Sequence, residues 1–194
     1  MNVAVVKYNA GNIQSVSYAL ERLGVDFEVT SDAEKIAAAP KVLFPGVGEA
    51  STTMNYLKAN NLDKLIRDLK QPVLGICLGM QLLCRHSEEN DTACLGVFDE
   101  VVKRFEPSSQ FKVPHMGWNS LHDTKDWIGK DMNDKYVYFV HSYYVPVNAN
   151  TVAQTDYTVP FSAAMRKNNF HAVQFHPEKS AEAGEQILKA FLEL

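Results

Sequence analysis

Hydrophobic and polar positions in the first half of the chain follow two alternating patterns. Ile13, Val16 and Leu20 recur at helical spacing, and Gly24 follows at the position of a helix C-cap glycine. Four short apolar runs have the length and composition of buried strands: residues 2–6, 25–30, 41–44 and 72–76. Strands that alternate with helices on this spacing predict a parallel sheet with helices on its faces.

Three more helices are predicted between and after these strands. Ser31 and Glu34 have the spacing of a capping box, which predicts a short helix through Ala39. A polar segment of helical character is predicted to extend through residue 69. After the fourth strand, the pattern predicts a helix from about residue 78 to residue 86.

The second half of the chain predicts strands with short connections, followed by a closing helix over residues 181–194. The predicted strands are residues 97–105, 136–145, 152–155, 162–166 and 170–175. They predict an antiparallel or mixed extension of the sheet. The expected fold class is therefore α/β, with a central, mostly parallel sheet flanked by helices. No repeat or linker interrupts the pattern, so one domain over residues 1–194 is expected.

Composition narrows the classes of function. The chain has 194 residues, with 19 Lys and Arg against 23 Asp and Glu and a net charge of −4. Nucleic-acid binding needs clustered basic residues, which the sequence lacks. No apolar run approaches the roughly 18 residues that span a bilayer, and the first residues do not resemble a signal peptide. We therefore expect a cytoplasmic protein that binds neither nucleic acid nor membrane.

Three cysteines are too few for a disulfide framework, and an odd number cannot all form pairs. Cys84 is predicted to lie on the same helix as Cys77, two turns further on, where it cannot bond to Cys77 and packs in the core. Cys94 is assigned no role. No spacing of Cys and His is typical of a metal site, and no cofactor is predicted.

Cys77 lies in the sequence Gly-Ile-Cys-Leu-Gly, between a predicted strand and a predicted helix. This is the setting of a nucleophile elbow, where a strained turn presents the nucleophile and the flanking glycines let the chains pass closely. The start of the following helix would favour the thiolate form. The alternative is a buried structural cysteine between ordinary turn glycines, and this short pattern does not separate the two.

A thiol nucleophile needs a base, and the base needs a group that orients it. His176 follows the last predicted strand, and Glu178 comes two residues later. Residues two apart on a strand point the same way, so the imidazole and the carboxylate can meet. A solvated surface turn is the alternative for an isolated His-Pro-Glu. The combination with Cys77 in an elbow favours the catalytic interpretation.

Acyl transfer also needs N–H donors for the oxyanion of the tetrahedral intermediate. Leu78 follows the nucleophile and supplies one backbone N–H. The sequence Pro-Gly-Val-Gly at residues 45–48 ends a neighbouring predicted strand, so a second donor is expected near Val47. A plain tight turn is the main alternative, because the Lys-Ser or Lys-Thr of a phosphate-binding loop is missing.

Together these motifs resemble the triad-type, or class I, glutamine amidotransferases, which have a flavodoxin-like fold. The resemblance rests on Pro-Gly-Val-Gly, on Gly-Ile-Cys-Leu-Gly-Met-Gln at residues 75–81 and on Phe-His-Pro-Glu at residues 175–178. It implies that Cys77 attacks the side-chain amide of glutamine, that His176 transfers the proton and that Glu178 orients His176. It also implies that His141, Ser142 and Tyr143 form the segment whose backbone grips the substrate. The implied glutamine-binding residues are Gly48, Gln81, Ser142 and Tyr143.

Other segments resemble one group in this family, the glutaminase subunits of imidazole glycerol phosphate synthases. They are Tyr-Asn-Ala-Gly-Asn at residues 8–12, Pro-His-Met-Gly-Trp-Asn at 114–119 and Pro-Glu-Lys-Ser at 177–180. The resemblance implies a heterodimer in which a cyclase subunit receives ammonia through a channel for histidine biosynthesis. It implies that residues 115–119 form a loop at the interface. The implied interface residues are Asn12, Met116, Trp118, Asn119 and Lys179.

One stretch departs from that group. Glu-Ala-Ser-Thr-Thr at residues 49–53 resembles the pyridoxal-phosphate synthase glutaminases, which carry Ala after the cysteine where this chain has Leu78. Two other functions are compatible with the residues. One is a free-standing cysteine hydrolase, such as a γ-glutamyl peptidase, and the other is an inactive interaction module.

Overall fold

The computed structural model describes residues 3–8 and 13–194, and its first half contains four parallel strands joined by helices. The strands are β1 (Val3–Val6), β2 (Phe27–Thr30), β3 (Val42–Gly46) and β4 (Val73–Cys77). The connecting helices are α1 (Ile13–Arg22), α2 (Ala33–Ala38), α3 (Ala50–Ala59) and α4 (Leu62–Asp68). Residue 2 and residues 9–12, which the sequence places in the first strand and an interface segment, lie outside the described residues.

The second half adds strands to this sheet and builds two smaller ones. Helix α5 (Leu78–Leu83) follows β4, and helix α6 (Ala181–Leu192) closes the chain. The further strands are β5 (Cys84–Ser87), β6 (Thr92–Ala93), β7 (Phe98–Arg104), β8 (His115–Ser120), β9 (Tyr136–His141), β10 (Tyr143–Tyr144), β11 (Thr151–Asp156), β12 (Pro160–Lys167) and β13 (Phe170–Val173).

The main sheet has the order β11-β12-β13-β4-β3-β1-β2. Strand β13 pairs with β4 in parallel, whereas β12 and β11 are added antiparallel, so the predicted mixed extension is confirmed. A second sheet has the order β10-β7-β5-β6, and β8 and β9 form an antiparallel hairpin. In the part of the chain that the structure describes, no helix has the length and apolar character to cross a membrane.

The sheet is buried on both faces, as the continuous apolar runs predict. Val3 and Val5 of β1 contribute to one apolar cluster, while Ala4 and Val6 contribute to the other. All four side chains are fully buried. Alternate residues of a strand point to opposite faces, so a strand covered by helices on both sides must be apolar throughout.

Strand β4 lies between β3 and β13, and this position defines the site. Gly46 of β3 is the register partner of Cys77, and Val173 of β13 is the partner of Ile76. The carboxyl ends of three parallel strands therefore meet at one edge of the sheet. In open α/β folds, ligands bind in the crevice at this edge.

Several predicted boundaries are wrong because pairing between distant segments outweighs local pattern. The helix predicted over residues 78–86 ends at Leu83, and β5 begins at Cys84, which is the register partner of Phe98 in β7. The segment 115–119, expected as a loop, is part of strand β8, which pairs with β9. Cys84 is nevertheless fully buried in the core.

Four other corrections concern one helix cap and the bounds of helices and strands. Asp32, not Ser31, caps α2, because its carboxylate accepts from the N–H groups of Glu34 and Lys35. Asn61 has a φ of 56°, which divides the segment before residue 70 into α3 and α4. The strand predicted over 136–145 is split into β9 and β10, and the last strand ends at Val173 instead of residue 175.

Candidate active site

Cys77 lies at the turn between β4 and α5. Its backbone has a φ of 54° and a ψ of −109°, a conformation that costs free energy for a residue with a side chain. The side chain is buried, and Gln174 Nε2 lies 3.7 Å from Sγ as a donor. A strained turn that holds a thiol at the edge of the sheet has the geometry of a nucleophile elbow.

Gly79 explains why the elbow needs a glycine two residues after Cys77. A Cβ atom added to Gly79 would lie 1.9 Å from the backbone oxygen of Phe44, far inside van der Waals contact. Helix α5 therefore approaches strand β3 more closely than any residue with a side chain would allow. This close approach brings Cys77 next to the segment of residues 45–48.

His176 and Glu178 meet in a turn after β13. His176 Nδ1 lies 2.7 Å from Glu178 Oε1, and both side chains are 1% exposed. They are not on a strand, since Pro177–Lys179 form a single 3-10 turn. Ser180 Oγ donates to the His176 carbonyl at 2.6 Å and accepts from the Tyr138 N–H at 2.9 Å, which fixes the turn to β9.

The surroundings of His176 determine its charge. Burial lowers its pKa, but the interactions with Cys77 and Glu178 outweigh burial and raise the pKa to about 10. The ring is therefore protonated at neutral pH. Nδ1 is held by Glu178, so the interaction with Cys77 falls to Nε2, which makes no other hydrogen bond. Nε2 is the nitrogen that can exchange a proton with a bound molecule.

A pocket of about 260 Å³ opens at this edge of the sheet. Its volume is below the roughly 300–1,000 Å³ of pockets for drug-sized ligands, which suits a molecule as small as an amino acid. Nine residues singled out from the sequence line it: Val47, Gly48, Cys77, Leu78, Gln81, His141, Ser142, Tyr143 and His176. Glu178 lies behind His176, outside the lining. The lining also includes Glu89, Pro114 and Val140.

The pattern of the glutamine amidotransferase class-I family matches residues 4–194. The imidazole glycerol phosphate synthase subunit HisH of Bacteroides fragilis (strain YCH46) is 63% identical over 196 residues and is covered, like this chain, over 100% of its length. The HisH subunit of Idiomarina loihiensis is 48% identical over 100% of this chain and 98% of its own. This chain belongs to the HisH family of class I glutamine amidotransferases.

Solved amidotransferase structures share the fold. A crystal structure of a glutamine amidotransferase has a TM-score of 0.77 at 18% identity, covering 100% of this chain and 98% of its own. A crystal structure of a glutamine amidotransferase from Thermotoga maritima has a TM-score of 0.64 at 16% identity, covering 100% of this chain and 84% of its own. The predicted class I amidotransferase fold is confirmed.

In this amidotransferase, sequence reasoning missed Glu89. Its carboxylate lines the pocket, and Oε2 accepts from the Ala50 N–H at 2.8 Å. Burial raises the pKa of Glu89, partly offset by that N–H. Glu88 and Glu89 have the pattern of an ordinary solvated acidic pair. Only the turn between β5 and β6, which the sequence did not predict, brings Glu89 to the pocket.

The expected interface residues of this HisH-family chain divide between two faces of the β8–β9 hairpin. Met116 is 63% exposed and Trp118 is 52% exposed on the outer face, beside the exposed Tyr136 of β9. Asn119 points the other way, and its Nδ2 donates to the Asp156 carbonyl at 2.9 Å. Lys179 is exposed. Asn12 lies outside the described residues.

Proposed function

We propose that this chain hydrolyses glutamine to glutamate and ammonia through Cys77, His176 and Glu178. The ammonia passes through a channel to the cyclase subunit of imidazole glycerol phosphate synthase, in the cytoplasm, for the formation of imidazole glycerol phosphate and AICAR in histidine biosynthesis. The observation that carries the proposal is a buried His176–Glu178 pair whose histidine lines one pocket together with a strained cysteine. The experiment is a glutaminase assay with and without the cyclase.

The mechanism follows from the charges in the pocket. The Cys77 thiolate attacks the side-chain amide carbon of glutamine, and the carbonyl π electrons move to the oxygen, which backbone N–H groups at Leu78 and near Val47 stabilise. The protonated His176 donates from Nε2 to the leaving nitrogen, so ammonia departs and a thioester remains. His176 then takes a proton from water, whose oxygen attacks the thioester and releases glutamate and the Cys77 thiolate.

Glu178 acts on this cycle through His176. Its contact with Nδ1 keeps a proton on that nitrogen and directs Nε2 to the pocket. The negative charge of Glu178 also contributes to the raised pKa of His176. The imidazolium is thereby available to the leaving group at neutral pH.

Glu89 supplies the negative charge that an amino-acid substrate needs at its α-ammonium. Among the lining residues it is the one carboxylate, and burial of that carboxylate is better tolerated when a cation lies beside it. We expect Glu89→Gln to raise the KM for glutamine about tenfold or more, the loss of one charged hydrogen bond, with little change in kcat. Steady-state kinetics with the cyclase present measures both constants.

Glu88→Gln is the matched control for this experiment. Glu88 is the exposed neighbour of Glu89 in the sequence, and its Oε2 accepts from the Arg104 N–H instead of facing the pocket. Gln retains an acceptor in both variants, so neither loses its backbone bond. An equal rise of KM in the two variants would contradict the assignment of Glu89 to the substrate.

Trp118 is proposed as an anchor for the cyclase. Exposed aromatic and Met side chains concentrate in the centre of protein interfaces, and Trp118, Met116 and Tyr136 share the outer face of the hairpin. We expect Trp118→Ala to weaken cyclase binding by about 2 kcal/mol or more, which is about thirtyfold in Kd. Isothermal titration calorimetry measures this Kd.

Leu194→Ala serves as the control for Trp118→Ala, because Leu194 is also a large exposed apolar residue (48%) and follows α6 instead of lying on the outer face of the hairpin. It should bind the cyclase with the wild-type Kd.

The isolated chain is expected to hydrolyse glutamine slowly, with the cyclase increasing the rate by orienting the oxyanion peptide near Val47. Equal rates with and without the cyclase would contradict this coupling.

A further inference from the structure

Two buried histidines next to the pocket have no role in the mechanism above. His115 of β8 and His141 of β9 are register partners in the hairpin, and their side chains are 3% and 6% exposed. His115 Nδ1 lies 3.0 Å from His141 Nε2. A direct bond between two imidazoles requires that one ring donate and the other accept, so the tautomers of the two rings depend on each other.

The backbone of Tyr143 determines both tautomers. His141 Nδ1 lies 2.7 Å from the Tyr143 carbonyl oxygen, which can only accept, so Nδ1 of His141 carries the hydrogen. Its Nε2 must then accept from His115 Nδ1. The remaining nitrogen of His115, Nε2, accepts in turn from Asn119 Nδ2 at 3.4 Å. Asn119, His115, His141 and the Tyr143 carbonyl therefore form one hydrogen-bond series. Every donor in it points toward Tyr143.

Charge does not disturb this order at neutral pH. Burial lowers the pKa of His115 to about 4 and that of His141 to about 3. Each ring is therefore neutral, with one donor and one acceptor, and the bonds described use all four nitrogens. Two aromatic rings also hold His115 in place, since Tyr157 and Phe139 stack on it at centroid distances of 4.0 Å and 4.8 Å.

The Tyr143 carbonyl also connects these histidines to the nucleophile. Gln81 Nε2 donates to this oxygen at 2.9 Å and to Gln174 Oε1 at 2.9 Å. Gln174 then directs its own Nε2 to Cys77 Sγ at 3.7 Å. Since Gln81 and Tyr143 both line the pocket, this series holds part of the pocket wall as well as the thiol.

The other end of the series reaches the surface proposed for the cyclase. Alternation along β8 places His115 and Asn119 on the inner face of the strand, and Met116 and Trp118 on the outer face. A shift of the strand against a partner would thus move the first donors of the series. The hairpin also contacts the thiol directly, since Cys77 Sγ donates to the carbonyl of Val140, the register partner of Met116, at 3.9 Å.

We propose that His115 and His141 are positioning residues of the glutaminase site, which transmit the placement of the β8–β9 hairpin to the Tyr143 carbonyl and, through Gln81 and Gln174, to Cys77. This inference rests on the proposed function. It assigns no proton transfer to either histidine, since the bonds of the series already use all four ring nitrogens. Their effect is to hold the pocket wall and the thiol in the productive arrangement.

The test compares His115→Phe with His171→Phe. Phe preserves the stack on Tyr157 and Phe139 but removes the donor to His141. His171 is also a buried histidine with a pKa lowered to about 4, and it packs against Trp127 and Phe191 outside the series. With the cyclase bound, we expect His115→Phe to lower kcat about tenfold, the effect of one buried hydrogen bond, with KM and cyclase Kd unchanged.

Rescue separates positioning from loss of packing. In His115→Asn the amide N–H lies near the position of Nδ1 and can donate to His141, so part of the lost kcat should return despite the smaller side chain. Thermal unfolding of each variant ensures that kcat is measured on folded protein. An unchanged kcat in His115→Phe, or the same loss in His171→Phe, would overturn the proposal.

Nitrogen NMR of histidine-labelled protein tests the series without any assay of activity. Both rings should carry their hydrogen on Nδ1 at neutral pH, and a proton on Nε2 of either ring contradicts the proposal. This readout also distinguishes the two hypotheses. If the wild-type complex does not hydrolyse glutamine, the proposed function fails, while the tautomers still decide whether the series exists.

Discussion

Replacing Cys77 by Ala is expected to lower glutamine hydrolysis by at least about 10,000-fold, because no other group in the pocket can form the thioester. Gln174 and the backbone around the elbow remain, so the fold and the hairpin surface should be unaffected. The cyclase Kd should therefore equal that of the wild type. Glutamate release in the presence of the cyclase measures the first effect, and calorimetry measures the second.

Cys84→Ala is the control for this substitution. Cys84 is fully buried, and its thiol donates to the Met80 carbonyl at 3.7 Å, so its loss should reduce the free energy of unfolding by about 1 kcal/mol without slowing hydrolysis. Hydrolysis by Cys77→Ala at a rate near that of the wild type would remove Cys77 from the mechanism. An equal loss in both variants would indicate a structural effect.

The pKa of His176 provides a test of Cys77→Ala that does not depend on turnover. Its pKa is raised because the interactions with Cys77 and Glu178 outweigh burial. With Cys77 replaced by Ala, burial and Glu178 remain, so the pKa of His176 should fall below its wild-type value. An NMR titration of the two proteins measures this difference, and its direction follows from which opposing cause has been removed.

The sequence predicted best those features that backbone geometry itself requires. Cys77 was found because Gly79 must approach the Phe44 backbone, so the glycine pattern around an elbow cannot vary freely. Strand β1 was found because burial on both faces allows only apolar residues. In both cases the constraint acts on neighbouring residues, and a short stretch of sequence contains it.

The features that were missed depend on distant segments. Residues 84–86 fit the continuation of helix α5 as well as a strand, and only the pairing of Cys84 with Phe98 decides for β5. Glu89 reaches the pocket because of the turn between β5 and β6, which the sequence did not predict. The bond of His115 to His141 depends on the hairpin register, which no spacing within either strand reveals.

The meeting of His176 and Glu178 was expected for a partly wrong reason. The prediction assumed that both residues lie on a strand, where side chains two residues apart point to the same face. In the structure, β13 ends at Val173, and Pro177–Lys179 form a 3-10 turn. Ser180 stabilises that turn by bonding to the His176 carbonyl at 2.6 Å. The two-residue spacing thus permits the contact, while the turn creates it.

Among substitutions that add one methyl group at the elbow, Gly79→Ala is expected to reduce the free energy of unfolding the most. The new Cβ atom would lie 1.9 Å from the Phe44 oxygen. Phe44 belongs to β3 and is the register partner of Gly75, so this backbone atom cannot move without disrupting the pairing of β3 with β4. We expect a loss of about 3 kcal/mol or more in the free energy of unfolding, measured by urea denaturation.

Gly24→Ala separates this clash from the general cost of replacing glycine. Gly24 has a φ of +68° and nothing within 4 Å of an added Cβ, so Ala there has only backbone strain, about 1 kcal/mol. Gly79→Ala should be clearly less stable than Gly24→Ala, and any folded fraction should hydrolyse glutamine slowly because α5 is displaced from β3. Equal stability of the two variants would mean that the close approach of α5 to β3 does not hold the elbow in place.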